Sequence, residues 1–381
     1  MSHPIEYDYI IAGAGCAGLS LAMHLIDSGK FSDKKILLID NALKNANDRT
    51  WCFWQKEKGL FDELLYGEWN KLLFFSHDFS GELHIDPYSY KMIRGIDFYN
   101  YCLQRINSAP NFTVSISHVD HVFSSNVTTG VMAAGKIIHC NYVFNSIIFE
   151  APALSKKEYW LLQHFRGWTV ETTSPVFSPA LATLMDFRTG QQEGTAFFYV
   201  LPFSENRALI EYTLFSPKLL SDEGYKKGLK DYIGNILGIK NYRVAEEESG
   251  VIPMTNYKFL PNQNNIIHIG SAGGQTKGSS GYTFNFIQKH SAEITQQLIN
   301  TGKPFIPTGW SRFSFYDSVL LNILHHKALT GESIFSDLFK KNPATRVLKF
   351  LDNESNIAEE LKIISSLPTM PFLRAAIEQV L

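Results

Sequence analysis

The sequence predicts a mixed α/β fold. A Rossmann-like β-α-β unit stands at the N-terminus, a mainly antiparallel sheet is inserted in the middle, and a helical region ends the chain. Three observations carry this. A short apolar run, a glycine loop and a helical repeat occur together near residue 10, paired apolar runs around a polar turn occupy the middle, and the residues after about 300 are amphipathic at helical spacing. In order, Tyr9-Ile10-Ile11-Ala12 reads as a buried strand and residues 13–18 as a glycine loop. Leu19, Ala22, Leu25 and Ile26 then recur on one helix face, which Gly29 stops. KILLID (residues 35–40) is a second strand ending in a carboxylate. Residues 197–200 and 208–212, separated by Ser204-Glu205-Asn206-Arg207, read as antiparallel strands. Residues 266–270 enter a second glycine-rich loop, followed by a helix over 283–298. From about Trp310 the tail is helical, with Pro343 and Pro368 as breaks.

Composition excludes several classes. The 381 residues carry 35 basic and 37 acidic side chains, a formal charge of −2, so no basic footprint for nucleic acid is present. Only 19% are charged while 28 Phe, 17 Tyr and 6 Trp make an aromatic-rich chain, the opposite of a disordered or coiled-coil protein. No stretch is apolar for the 18 residues of a spanning helix, and residues 1–8 lack the basic and small-residue pattern of a signal peptide. Cys16, Cys52, Cys102 and Cys140 are scattered, which reads as free thiols in a reducing cytosol and as no zinc site. His325-His326 lacks a partner ligand at metal spacing, so no metal site is expected.

Gly13-x-Gly15-x-x-Gly18 follows a strand and opens a helix, and Asp40 ends the next strand. Gly13 permits the tight turn, Gly15 lets backbone N–H groups approach a pyrophosphate, Gly18 allows close packing, and Asp40 can accept ribose hydroxyls. One such motif, with a second glycine loop (Gly270, Ser271, Gly273, through Gly281) some 250 residues later and a helix after it, favours FAD over NAD. The expected organisation is an FAD domain from residues 1–75, 95–150 and 250–300, a substrate-binding sheet from 76–94 and 151–249, and a helical region over 301–381.

In several segments, in order, the chain resembles the lycopene β-cyclases of the bacterial type. These are the first loop; Arg49-Thr50-Trp51-Cys52-Phe53-Trp54; Met185-Asp186-Phe187; Leu201-Pro202 with Ile210-Glu211-Tyr212-Thr213; Glu248-Ser249-Gly250-Val251-Ile252-Pro253-Met254; and Gly270-x-Ala272-Gly273 with Ser280-Gly281-Tyr282. The resemblance implies an FAD-binding fold of the flavoprotein hydroxylase type and a different reaction, the cyclisation of lycopene ψ-ends to β-rings. That reaction needs reduced FAD, hence an external reductant such as NAD(P)H, and has no net redox change. Where hydroxylases carry Asp-Gly and Gly-Asp, this chain has Asn145-Ser146 and Gly270-Ser271, which argues against oxygenase chemistry.

Protonating an alkene requires an acid held dry, and the resulting cation requires a negative or π-rich wall. Glu211 is the expected acid/base group. Strand alternation places it with Leu209 and Thr213 on one face, and it matches the first glutamate of the "FLEET"-like motif, with Tyr212 where plant forms carry a second acid. Burial would raise its pKa, as a general acid requires. Asp186 is a second catalytic candidate, turn capping being its alternative. Glu248 and Tyr282 are candidates for binding substrate, and Arg49 for the pyrophosphate or a ribose. The substrate is a membrane-borne hydrocarbon, so a monotopic association with lipid from the cytoplasmic side is expected. Trp310, Phe313, Phe315, Tyr316, Leu320, Leu321, Ile323 and Leu324 are candidates for the contact, ordinary core packing of a C-terminal helix being their alternative. A flavin monooxygenase or halogenase on an apolar substrate, and a non-catalytic flavin- or carotenoid-binding membrane protein, are the alternatives.

Overall fold

The computed structural model describes residues 5–42, 44–306 and 311–381. The chain opens with β1 (Tyr7–Ala12), α1 (Cys16–Ser28) and β2 (Ile36–Asp40), the expected βαβ unit. Gly29 ends α1 in the left-handed conformation that glycine adopts without strain. Next come β3 (Thr50–Gln55), β4 (Leu65–Trp69), β5 (Lys71–Phe75), β6 (Ser80–His84), β7 (Ser89–Arg94) and α2 (Gly95–Asn107). β8 (Phe112–Ile116), β9 (Val119–Ser124), β10 (Thr129–Ala133) and β11 (Lys136–Asn145) follow. The middle holds β12 (Trp160–Glu171), β13 (Ala182–Asp186), β14 (Thr195–Ser204), β15 (Arg207–Ser216), α3 (Asp222–Asp231) and β16 (Arg243–Thr255). After β17 (Asn262–Gln263), β18 (Ile266–His268) and α4 (Phe284–Thr301) come α5 (Arg312–His325), α6 (Gly331–Lys341), α7 (Ala344–Leu351), α8 (Ile357–Ser366) and α9 (Thr369–Val380). Pro343 and Pro368 stand immediately before α7 and α9, where a residue without an N–H costs the helix nothing.

Among the described residues the strands form sheets of eight, seven and three. In the first, β8, β2, β1, β11 and β18 run parallel, and β1 lies between β2 and β11. That reversal of strand order at the carboxyl end of β1 is where open α/β sheets leave a crevice. One face packs on α1, α2 and α4 through Leu19, Ile36, Phe98 and Ile294, and the other is covered by β9 and β10 through Val119 and Val131.

The seven-stranded sheet is ordered β16-β12-β15-β14-β13-β5-β6. Its outer face is sealed by α3 and residues 232–236, with Tyr225, Leu229 and Tyr232 on Trp168, Phe198, Ile210 and Tyr212. Its inner face packs on the C-terminal helices at the β5–β13 end. β15 therefore buries both sides, and the alternation that put Glu211 opposite Ile210 and Tyr212 is observed.

The domain limits differ from expectation. β5 lies in the seven-stranded sheet rather than with residues 1–75. β7 leaves that sheet to pair with β3 and β4, and β16 continues past residue 249. Pairing with distant strands decides these memberships, and local pattern does not encode it. α5 also differs. Phe313, Leu321 and Ile323 are buried in the core, so ordinary packing accounts for them, while Trp310 lies outside the described residues.

Candidate active site

A cleft of about 300 Å³ lies between the two large sheets. Two helices reach it by their N-termini, α1 with Gly15, Cys16 and Ala17, and α4 with Phe284 and Ile287 after Thr283. Both present unsatisfied N–H groups and the positive end of the helix dipole. A Cβ on Gly15 would meet nothing within 4 Å, so that backbone is open to a ligand. Gly13 (φ +100°) makes the turn, and a Cβ on Gly18 would sit 2.0 Å from the Gly13 carbonyl, so α1 packs on its own loop only through glycine. Gly270 (φ +61°) presses on Ala17, bringing the second loop against the first. Lys44 and Arg49 add positive charge at the cleft, and Gln163 presents a buried Oε1 without a protein partner. Anion-binding ends, a bare glycine backbone and an orphaned acceptor fit FAD.

The remaining wall is the inner face of the seven-stranded sheet. Pairing puts Tyr199 (β14), Glu211 (β15), Gly167 (β12) and Glu248 (β16) in one row across four strands. Leu201, Leu209, Phe165, Gln163, Gly250 and Ile252 surround the row. Above it stand Trp51 and Cys52 of β3, Tyr90 of β7 and Tyr282 of the second loop. The Tyr282 hydroxyl lies 3.5 Å from that of Tyr199, and its ring meets Trp54 edge-on.

Two carboxyls are thus held in an aromatic, water-poor wall. Thr213 donates to Glu211 Oε1 at 2.8 Å, and Thr50 to Glu248 Oε2 at 2.7 Å. Glu248 Oε1 is buried and, apart from the Glu211 carboxyl, has no hydrogen-bond partner among the described residues. Burial first, and then the negative charge of Glu248, raise the Glu211 pKa well above the ordinary carboxylic range. Burial raises that of Glu248 as well, but the Thr50 hydroxyl and the Glu211 carboxyl both favour its ionised form. Of the two, Glu211 is the one whose neutral form is favoured more. Cys52 beside the pair is kept a thiol by burial.

The structure brings together Gly15, Arg49, Gly270, Ser271, Gly281, Tyr282 and Glu211 on the cleft, with Gly13, Gly18 and Gly273 shaping its loops. Asp40 is not on the cleft wall. Its carboxylate accepts from the N–H groups of Ala14 (2.6 Å) and Ala42 (3.1 Å) and braces the loop. Glu248 lies behind Glu211, not against the space a substrate would fill. Asp186 is elsewhere: its carboxylate is gripped by Arg188 and by the Tyr232 hydroxyl on the outer side of the sheet, a strand-end brace. His325 and His326 pack on the Tyr159 ring. Sequence reasoning missed Thr50, Gln163, Gly167, Tyr199 and Thr213. Gly167 had a signal, an isolated glycine inside an apolar strand, which marks close approach.

The family model described as lycopene cyclase protein matches residues 8–377. The chain is 23% identical to the lycopene β-cyclase of Pantoea ananas over 97% of both chains. It is 25% identical to that of Pseudescherichia vulneris over 96% of this chain and 95% of the other. Among solved structures, a flavoprotein/dehydrogenase from Cytophaga hutchinsonii superposes with TM-score 0.62 at 10% identity, covering 98% of this chain and 99% of that one. A flavin-dependent brominase superposes with TM-score 0.61 at 12% identity, covering 98% of each chain. The structural neighbours establish the flavoprotein hydroxylase fold. With a near-complete family match, the chain belongs to the lycopene cyclase family and is an enzyme of the intramolecular lyase type that acts with FAD in carotenoid cyclisation.

Proposed function

We propose that the protein is a lycopene β-cyclase that converts acyclic ψ-ends to β-rings with reduced FAD, Glu211 being the acid. The observation that carries this is the place of the Glu211 carboxyl, on the wall of the cleft that fits FAD beside Tyr199, Tyr282 and Leu209, where loss of solvent pushes its pKa well above the ordinary carboxylic range. Glu211 gives its proton to C2 of the terminal alkene, C6 closes on C1, and the C6 proton returns to the Glu211 carboxylate. Protons and electrons balance, so no net oxidation occurs. Reduced FAD, when bound, supplies an anionic edge to the cation, and the aromatic walls supply π density. Arg49 and the two helix N-termini would hold its pyrophosphate and ring. Expression in lycopene-accumulating cells should replace lycopene with γ- and β-carotene. Persisting lycopene beside folded, flavin-loaded protein would refute the reading.

The hydrocarbon substrate also supports contact with a membrane, from the cytoplasmic side. Among the described residues no helix is long and apolar enough to cross one. α8 exposes Ile357, Leu361 and Ile364, and α9 exposes Met370, Leu373, Ile377 and Val380, each set a single stripe at helical spacing. These stripes, rather than α5, are the lipid-facing candidates. Leu361→Asp with Leu373→Asp should abolish flotation with phospholipid vesicles; unchanged flotation would exclude them.

A further inference from the structure

We propose that Glu211 and Glu248 work as a pair that shares one proton across Gly167, with Glu248 acting only through Glu211. The inference rests on the cyclase reading for its chemistry, but the pair itself stands on geometry. β15 and β16 are not neighbours; β12 lies between them, and Gly167 is the residue of β12 that faces both glutamates. Any side chain there would fill the space the carboxyls need: a Cβ would lie 3.0 Å from Glu248 Cγ, 3.3 Å from its Oε1 and 2.9 Å from Leu209 Cδ1. With glycine, only bare backbone stands in the row between Glu211 and Glu248. Glu248 Oε2 is fixed by Thr50, so its free Oε1 is left for the Glu211 hydroxyl.

Among the described residues no cation pairs with either group, so two adjacent carboxylates would be uncompensated, and the pair retains one proton. The groups facing it are neutral. Cys52 on β3, Tyr90 on β7, Tyr199 on β14 and Tyr282 on the second loop are all held protonated by burial. Asp48 and Glu246 add negative charge on the Glu248 side, and the Glu246 carboxylate is paired with Arg207 at 2.6 Å.

The role in the reaction follows. Glu248, whose ionised form Thr50 and Glu211 favour, accepts the hydrogen bond of the shared proton. It keeps Glu211 in the acid form at neutral pH before the proton leaves. While the Glu211 proton is on the substrate, the pair carries two negative charges next to the carbocation. The C6 proton then returns to Glu211, and its O–H again donates to Glu248. No other reactant is consumed.

The test is the pH dependence of cyclisation by flavin-loaded enzyme, with lycopene in detergent micelles. Activity falls on the basic side as Glu211 loses its proton. Glu248→Gln removes the negative charge that holds the proton, so this limb should move down by about one pH unit or more. A merely structural role would lower the rate without moving the limb, and an unmoved limb overturns the proposal. Infrared titration of the protonated carboxyl band needs no substrate. The band should vanish at lower pH in Glu248→Gln than in the parent protein, and an identical titration again overturns the pair. If the parent protein cyclises nothing, the activity reading fails, and the infrared titration alone decides the pair.

Discussion

The seven-stranded sheet buries carboxyls on both faces, and the two sites are opposite in construction. On the outer face, Asp186 is fully exposure-free and accepts hydrogen bonds from the Arg188 backbone and guanidinium and, at 2.7 Å, from Tyr232. Tyr232 in turn stacks on Phe198 with ring centroids 3.8 Å apart. On the inner face, Glu211 and Glu248 have one hydroxyl each and, among the described residues, no cation. A carboxylate whose lone pairs and charge are all answered holds structure together. A carboxyl left unanswered at a cleft holds a proton it can give away.

The largest expected effect separates the two sites. Glu211→Gln should lower cyclisation by roughly 10²–10⁴-fold, the usual contribution of a general acid, with flavin still bound. Its stability should be at least that of the parent near neutral pH. A raised carboxyl pKa means that folding takes up a proton, so the parent loses stability as pH rises from the unfolded-state value toward the folded one, and glutamine removes this loss. Thermal melts at several pH values would check the sign.

Asp186→Ala should do the reverse. It should destabilise by about 2–3 kcal/mol, less than for a fully buried pair because Arg188 is 40% exposed, while leaving the rate per folded molecule nearly unchanged. Denaturant melts with parallel activity assays measure both. A variant with intact stability and lost turnover would return Asp186 to the catalytic site.

The smallest effect sharpens the inner site. The Thr213 hydroxyl favours the ionised form of Glu211, so Thr213→Val should move the basic limb of the pH profile upward by less than about one unit. That is the opposite direction to Glu248→Gln.

The glycine loop, the strands around it and the C-terminal helices were legible because each is a short-range pattern. Gly13, Gly15 and Gly18 sit at fixed spacing, and α1 and β2 lie where the apolar repeats place them. Glu211 was legible through alternation within one strand and through the family resemblance. Asp186 was not, because a buried acid at a strand end looks the same in sequence whether Arg188 or a substrate faces it. The same blindness left α5, whose apolar residues serve the core, open between core and lipid, and left the exposed stripes of α8 and α9 unnoticed.

By itself, then, the sequence determined the nucleotide-binding unit, the antiparallel hairpin and which face of β15 carries its glutamate, since these depend on periods of two and 3.6 and on turn residues. The tertiary structure alone decided that Glu248, 37 positions further along, lies in the same row as Glu211, with Gly167 between them and Thr50 as a brace. Strand order brings residues from four separate segments together, and no local pattern of side chains specifies which strands become neighbours.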